Sequence, residues 1–212
     1  MKRTRIKICG ITSLEDAIAA VAAGADAIGL VLWEPSPRSV STVLAAEICS
    51  VIPAFVTTVA LTVDADDNLI RCIREEIRAD LLQCHGNETP AFCEQSGMPT
   101  MKAIRMRPDV ALDDEIQRFS VARSVLLDAY RKGTPGGTGE RFDWLRIPQQ
   151  YRDQIVLAGG LSAANVTEAI ETVHPYAVDV SGGVEYSPGK KDHHKMTEFV
   201  AAVRAADNRV YG

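Results

Sequence analysis

The sequence predicts a single (β/α)8 barrel in which residues 1–212 form one domain. Short apolar runs alternate with segments of helical period eight times, and no Ser/Gly-rich linker or low-complexity segment divides the chain. Eight βα units of roughly 25 residues each would use nearly all of the chain, near the lower size limit of this fold. An open doubly wound sheet is the alternative, but it normally needs fewer strands. A dinucleotide-binding version would also need G-x-G-x-x-G after the first strand, where this chain has Cys9-Gly10-Ile11-Thr12.

Eight segments are predicted to be strands. Residues 28–32 and 155–158 are continuously apolar, as expected for strands that are covered on both faces in a parallel sheet. The predicted strands, in chain order, are residues 5–9, 26–32, 55–63, 80–84, 100–105, 124–128, 154–158 and 177–180.

Helices are predicted between these strands. Apolar residues recur at helical spacing in three sets, namely Leu69, Ile70, Ile73 and Ile77; Val166, Ile170 and Val173; and Met196, Phe199, Val200 and Val203. Helix starts are marked by the capping box Thr12-x-x-Glu15, by Asp66 and by Ser162.

Composition excludes several classes of partner. The chain has 46% hydrophobic and 24% charged residues, which suits a globular protein with a buried core. Lys and Arg number 23 against 28 Asp and Glu, a net charge of −5, whereas nucleic-acid binders usually carry a basic excess. No run approaches the roughly 18 apolar residues of a membrane span, and the basic start is not followed by a signal-peptide core. We therefore expect no nucleic-acid or membrane partner and a cytoplasmic location.

The cysteines are expected to be free thiols. Their number is odd, no C-x-x-C motif occurs, and a chain of this length does not need disulfides; they are Cys9, Cys49, Cys72, Cys84 and Cys93. Cys84 and His85 are neighbours in a strand and so should point to opposite sides, which argues against a catalytic dyad. Because no further Cys/His spacing completes a set of ligands, no metal site is expected.

Unusual residues follow the predicted strands. In a parallel barrel all strands end on one face, so residues at those ends converge although they are distant in sequence. Cys9 ends strand one, Arg38 follows strand two, His85 follows strand four and Asp128 ends strand six. We expect these four side chains to surround one site.

Two glycine turns, Gly159-Gly160 and Ser181-Gly182-Gly183, follow strands seven and eight. Backbone N–H groups approach an anion closely in such turns, and these positions are the usual phosphate site of the fold. Either turn alone could be a simple tight connection, but both together favour a phosphorylated ligand. Gly136-Gly137-Thr138-Gly139 resembles a P-loop without its Lys-Ser/Thr, and is predicted to be a mobile loop after strand six.

Cys9 and Asp128 are the candidate acid–base pair, since an activated thiol can accept a proton and a carboxylic acid can donate one. Each has an ordinary alternative, because a buried Cys is usually a small apolar residue and a strand-end Asp is often a helix cap. Arg38 follows two prolines and could bind a carboxylate bidentately, or could be a solvated surface residue. Lys190 and Lys191 could add positive potential near the phosphate turn or could be solvated. The three remaining histidines, His174, His193 and His194, are expected at the surface.

Motifs along nearly the whole chain resemble the phosphoribosylanthranilate isomerase family of tryptophan biosynthesis. They are Lys7-Ile8-Cys9-Gly10-Ile11-Thr12, Ser36-Pro37-Arg38, Gln83-Cys84-His85-Gly86, Leu127-Asp128-Ala129, Gly136-Gly137-Thr138-Gly139, Phe142-Asp143-Trp144, Leu157-Ala158-Gly159-Gly160-Leu161, Asp179-Val180-Ser181-Gly182-Gly183-Val184-Glu185 and Gly189-Lys190-Lys191-Asp192. The first motif and the Asp179 segment are specific to the family. The chain differs from the family pattern at Cys84, where Leu is usual, at Gly182, where Ser is frequent, and at Glu140, where Lys is common.

The resemblance implies an Amadori rearrangement of N-(5-phosphoribosyl)anthranilate that needs no cofactor. Asp128 would protonate the ribose ring oxygen, and Cys9 would remove the proton from C2′. Arg38 would hold the anthranilate end, His85 and Asp179 would line the site, and the backbone of the glycines would receive the phosphate; these are Gly160, Gly182 and Gly183. A monomer and a homodimer are both compatible with the sequence.

Three alternatives stay open at this point. A related histidine-pathway sugar isomerase would carry a carboxylate where strand one ends in Cys9. A phosphate-binding barrel without activity would bind ligands but not turn them over. A thiol redox sensor would lack a paired resolving cysteine.

Overall fold

Eight parallel strands close into a barrel in sequence order, with β1 hydrogen-bonded to both β2 and β8. The computed structural model describes residues 3–129 and 142–212. The strands are β1 Arg5–Cys9, β2 Ala27–Val31, β3 Thr57–Thr62, β4 Leu81–Cys84, β5 Thr100–Met106, β6 Ser124–Ala129, β7 Val156–Leu157 and β8 Ala177–Val180. The predicted barrel is therefore confirmed, and the predicted strands differ from these bounds by a few residues at most.

Helices surround the barrel. They are α1 Leu14–Ala23, α2 Thr42–Val51, α3 Asp67–Cys72, α4 Pro90–Gln95, α5 Leu112–Arg118, α6 Val166–Val173 and α7 His193–Tyr211. A π-helical turn, Ile73–Ile77, continues α3. In the described part of the β6–β7 connection, two 3-10 turns, Trp144–Arg146 and Gln149–Tyr151, stand where an α-helix was expected. Pro148 separates them because it lacks an N–H and disfavours helical backbone at the residue before it.

The helix starts agree only partly with the sequence signals. Asp66 caps α3 as predicted, with its Oδ1 accepting from Leu69 N at 2.8 Å. The Thr12 capping box was wrong, because Ser13 caps α1 by accepting from Asp16 N at 3.1 Å, whereas the Thr12 hydroxyl donates to a carbonyl of a distant loop. α6 begins after Asn165 rather than directly after Ser162.

The core has two layers. Between barrel and helices lie the residues with helical period, including Ile70, Ile73, Val166, Ile170, Met196, Phe199 and Val203. The interior of the barrel is filled by inward-facing side chains, namely Val59, Met101, Ala103, Leu126, Val156, Ala158 and Ala177. This packed interior leaves room for a ligand only at the carboxyl ends of the strands.

A short antiparallel hairpin follows β8 and was not predicted. It consists of β9 Glu185–Ser187 and β10 Lys190–Lys191. These runs are too short and polar to give a strand signal, but they lie beside the barrel mouth and carry charged side chains to it. Of the helices in residues 3–129 and 142–212, none is long and apolar enough to cross a membrane.

Candidate active site

A cavity of about 1060 Å³ opens at the carboxyl ends of the barrel strands. All eight residues that were predicted for the site line it, namely Cys9, Arg38, His85, Asp128, Gly160, Asp179, Gly182 and Gly183. The barrel thus brings together side chains from six different strand ends or following loops. Their individual roles remain predictions.

Cys9 lies at the inner edge of the cavity because β1 alternates its side chains and points Lys7 and Cys9 into the barrel. The thiol packs with Val31 and Leu61 and is only 5% exposed. Burial raises the pKa of the Cys9 thiol above its ordinary 9.0, and the nearby Lys7 ammonium partly opposes that rise. The resting site therefore holds a thiol that needs assistance to become a base.

Lys7 is a functional candidate that the sequence reasoning missed. Its Nζ donates to Asp179 Oδ1 at 2.9 Å, and both side chains are buried. Burial would lower the pKa of Lys7, but the Asp179 carboxylate outweighs it and, with a smaller effect of Cys9, holds the pKa above its usual value. A fixed ammonium therefore stands between the predicted base and a carboxylate. A lysine two residues before Cys9, inside a buried strand, was the available signal.

Asp128 shares its side of the cavity with His85. His85 Nε2 lies 3.2 Å from Asp128 Oδ2, although the angle falls short of a hydrogen bond. Gln83 Nε2 donates to His85 Nδ1 at 3.1 Å, which leaves the proton of a neutral ring on Nε2, toward Asp128. All three side chains are buried. Gln83 thus holds the His85 ring with its Nε2 beside the predicted acid.

Arg38 is not a solvated surface residue. Its Nε and Nη2 donate to the two carboxylate oxygens of Glu185 at 2.8 and 2.7 Å, and this bond raises the pKa of the guanidinium. Lys191 Nζ donates to Glu185 Oε1 at 2.8 Å, so the alternative of a solvated Lys191 is also wrong. Lys190 is exposed. Glu185 was not singled out from the sequence, although it lies in the motif quoted above.

The two glycine turns touch through their backbones. A Cβ at Gly183 would collide with the carbonyl oxygen of Leu161, so this approach requires glycine. Asn165 holds the first turn, accepting from Ser162 N and donating to Gly160 O, each at 2.9 Å. Within residues 3–129 and 142–212, the backbone N–H of Gly160 has no hydrogen-bond acceptor. A free amide donor therefore lies at one end of the cavity.

The remaining candidates lie elsewhere. Cys49 and Cys93 lie on helices, and Cys84 points into the helix layer, where its Sγ is 3.9 Å from Cys93 Sγ. This confirms that Cys84 and His85 face opposite sides. Cys72 ends α3, and the histidines predicted for the surface are exposed; they are His174, His193 and His194.

The segment 136–139 and Glu140 lie outside the described residues. Among the described residues, no cluster of His, Cys, Asp or Glu is arranged to hold a metal ion.

Comparison with known sequences finds one family throughout. The family model of N-(5'phosphoribosyl)anthranilate (PRA) isomerase matches residues 6–202. The N-(5'-phosphoribosyl)anthranilate isomerase of Chromohalobacter salexigens is 53% identical over 204 residues, which cover 96% of this chain and 95% of the relative. The protein of that name from Cellvibrio japonicus is 52% identical over 206 residues, covering 97% and 96%.

Solved structures agree with this result. Phosphoribosyl anthranilate isomerase from Thermotoga maritima matches with a TM-score of 0.84 and 37% identity over 95% of this chain and 99% of that one. A structure of phosphoribosyl anthranilate isomerase in complex with reduced 1-(o-carboxyphenylamino)-1-deoxyribulose 5-phosphate matches with a TM-score of 0.83 and 35% identity over the same shares. Since the family model spans nearly the whole chain and full-length relatives share about half of its residues, this chain belongs to the N-(5'-phosphoribosyl)anthranilate isomerase family.

Proposed function

We propose that this protein converts N-(5'-phosphoribosyl)anthranilate to 1-(2-carboxyphenylamino)-1-deoxyribulose 5-phosphate in tryptophan biosynthesis, with Cys9 as base and Asp128 as acid. One observation carries the proposal. A buried thiol and a buried carboxyl, from β1 and β6, line the same cavity that ends in two glycine turns. The whole barrel serves this one site, which supports treating residues 1–212 as a single catalytic domain.

The first step opens the sugar ring. Asp128 donates a proton to the ribose ring oxygen, the bond from that oxygen to C1′ breaks, and the anthranilate nitrogen supplies its electron pair to form a Schiff base. His85 supports this step because its Nε2 lies 3.2 Å from Asp128 Oδ2 and restricts where the carboxyl can point. Asp128 becomes a carboxylate in this step.

The second step moves hydrogen. The thiolate form of Cys9 removes the proton from C2′ and becomes a thiol, and the electron pair left behind forms a C1′–C2′ double bond while the Schiff-base nitrogen is neutralised. The enolamine then tautomerises, with C1′ gaining a proton and the 2′-hydroxyl losing one, so substrate and product are isomers. Burial disfavours the Cys9 thiolate, and the ammonium of Lys7 compensates for part of that cost. The scheme uses only side chains of this chain and no cofactor.

The two ends of the substrate are held by different parts of the mouth. The backbone amides of the turns at Gly160, Gly182 and Gly183 receive the phosphate, since free N–H donors are suited to an anion. The guanidinium of Arg38 receives the anthranilate carboxylate, because it lies half-buried beside the cavity and charge-assisted pairs of this kind are strong. The carboxylate of Asp179 fixes Lys7 next to Cys9.

Location and assembly complete the proposal. The enzyme is placed in the cytoplasm, and its net charge of −5 supports the absence of nucleic-acid and anionic-membrane partners. A monomer and a homodimer are both retained, because the Thermotoga maritima relative is described as dimeric and also exists as engineered monomers. Sedimentation of the purified protein decides between them.

Turnover tests the function. Purified protein is mixed with freshly prepared N-(5'-phosphoribosyl)anthranilate without metal or nucleotide, and loss of substrate is followed by fluorescence. Asp128→Asn and Cys9→Ala should each slow turnover by about 10²–10⁴-fold while circular dichroism stays unchanged. Cys49→Ala, which removes a thiol on α2, is the matched control and should retain wild-type turnover. Folded wild-type protein without turnover contradicts the function, and an active Cys9→Ala variant contradicts the assignment of the base.

A further inference from the structure

Glu185 is a buried carboxylate that lies between two cations at the barrel mouth. Its two oxygens accept from Arg38 Nε and Nη2 at 2.8 and 2.7 Å, and Oε1 also accepts from Lys191 Nζ at 2.8 Å. The side chains of Glu185 and Lys191 are 5% and 0% exposed, and that of Arg38 is 15% exposed. Arg38 is therefore the most exposed of the three side chains, and it lines the cavity together with Glu185.

The position of Arg38 is fixed from both ends. Its Cδ lies 2.6 Å from the site that a Cβ would occupy on Gly10, so the stem of the arginine depends on the absence of a side chain there. At the other end, Glu185 occupies one edge of the guanidinium, formed by Nε and Nη2. Nη1 has no acceptor within residues 3–129 and 142–212. The second edge, formed by Nη1 and the other hydrogen of Nη2, is therefore available to a ligand.

The net charge of the cluster formed by Arg38, Lys191 and Glu185 favours the binding of one anion. Two cations and one carboxylate give this cluster a net charge of +1, which matches a single carboxylate of a ligand. Burial would raise the pKa of Glu185, but its hydrogen bond to Arg38 and the charge of Lys191 hold the pKa below its usual value. Glu185 thus stays ionised at neutral pH and retains its two hydrogen bonds from the Arg38 guanidinium.

We propose that Glu185 is a positioning residue for substrate selection: it orients the guanidinium of Arg38 so that the free edge accepts the aromatic carboxylate of the substrate. The proposal rests on the proposed function of Arg38. Lys191 contributes indirectly, because its hydrogen bond holds the carboxylate of Glu185 in place. A purely structural ion pair that ties the β2 loop to the β9–β10 hairpin would stabilise the fold but would not affect the preference for a carboxylate.

Two inhibitors that differ only in that carboxylate separate these possibilities. They are reduced 1-(2-carboxyphenylamino)-1-deoxyribulose 5-phosphate and the same compound with an unsubstituted phenyl ring. In the wild-type protein the carboxylated inhibitor should bind more tightly by about 10- to 100-fold, the range for a hydrogen bond to a charged group. Glu185→Gln keeps the shape of the side chain but removes its charge. It should reduce this ratio about tenfold and leave binding of the phenyl compound within about twofold.

Two further variants complete the test. Glu88→Gln breaks another buried Lys–Glu pair on the same face of the barrel, where Glu88 lies 2.7 Å from Lys102 Nζ, and it should leave the inhibitor ratio unchanged. Arg38→Ala should abolish the preference for the carboxylate. Adding Glu185→Gln to Arg38→Ala should then change the ratio no further, because Glu185 acts through Arg38. If Glu185→Gln does not fold, Glu185→Asp retracts the carboxylate by one methylene and should lower the same ratio.

The outcomes are distinct. A full inhibitor ratio in folded Glu185→Gln, with the ratio lost in Arg38→Ala, overturns the role of Glu185 and leaves the proposed function intact. A full ratio in Arg38→Ala shows that Arg38 does not bind the carboxylate, and the positioning role then fails with it. Wild-type protein that does not turn over N-(5'-phosphoribosyl)anthranilate contradicts the proposed function itself.

Discussion

His85 Nε2 lies 3.2 Å from Asp128 Oδ2, across the carboxyl ends of β4 and β6. Both residues were predicted for the site from the sequence, Asp128 as a carboxyl at the end of one strand and His85 as an imidazole after another. It restricts the predicted acid to one region of the cavity. Gln83 supports it from behind by donating to the other ring nitrogen at 3.1 Å.

This contact predicts a loss in kcat when the ring is removed. His85→Ala should lower kcat about tenfold with a smaller change in KM, because the acid loses its orientation while the binding groups stay in place. His85→Gln keeps an N–H group near Asp128 and should recover part of the loss. Steady-state kinetics on both variants measure this. A rise in KM at unchanged kcat would mean that His85 binds substrate and does not orient the acid.

Charges beside Cys9 predict how fast its thiol reacts. The Lys7 ammonium lowers the pKa of Cys9 and the Asp179 carboxylate raises it, both against the larger effect of burial. Asp179→Asn should therefore speed alkylation of Cys9 by iodoacetamide about 3- to 10-fold at pH 8, and Lys7→Met added to it should slow the reaction again. In wild-type protein the rate should still be rising above pH 9. Peptide mapping by mass spectrometry separates Cys9 from the other thiols, and equal rates in all three proteins would contradict this electrostatic account.

The contact between the glycine turns predicts a binding defect. Gly183→Ala would place a methyl group against the carbonyl of Leu161 and push the turns apart. KM for substrate and the inhibition constant of inorganic phosphate should both rise about tenfold or more, since hydrogen bonds to a charged group are lost. Gly24→Ala is the control, because Gly24 has φ +104 but ends α1 away from the cavity. It should cost stability without affecting inhibition by phosphate.

The buried pair of Glu88 and Lys102 predicts a pH-dependent contribution to stability. Burial would raise the pKa of Glu88, but Lys102 and the backbone N–H of Asp64 hold it below its usual 4.5. A carboxylate with a lowered pKa contributes stability above pH 4.5, and this contribution is lost as the pH falls through the folded-state value. Glu88→Gln should cost about 3–5 kcal/mol in the free energy of unfolding at pH 7, because it leaves a buried cation unpaired.

Urea unfolding at pH 7 and at pH 3.5 measures this contribution. The difference between wild type and Glu88→Gln should shrink at the lower pH, because the unfolded chain already binds a proton at Glu88 below pH 4.5 and the contribution falls as the pH approaches the folded-state pKa. Lys102→Met added to Glu88→Gln removes the unpaired charge and should restore part of the stability at pH 7. A difference that stays constant between the two pH values would show that the ionised form of Glu88 contributes nothing.

Much of the fold was predictable because its signals are local. Eight apolar runs between helical periods define a parallel barrel, and the barrel rule that strands end on one face then brings Cys9, His85 and Asp128 together. The capping signal at Thr12 failed, because its hydroxyl bonds to the carbonyl of Gly189, which is close only in the folded chain. The hairpin formed by β9 and β10 was not predicted, because its five residues are polar and carry no periodicity.

Chain order and strand ends suffice to predict which residues surround the cavity, because all strands of a parallel barrel end on one face. The pairing of charges within the cavity, by contrast, follows from the folded structure alone. Lys7 with Asp179, and Arg38 with Glu185, are separated by 172 and 147 residues, and no local pattern links them. Burial forces such groups to find partners across the barrel, because an unpaired charge in the interior is too costly, and the barrel geometry decides which partners lie within reach.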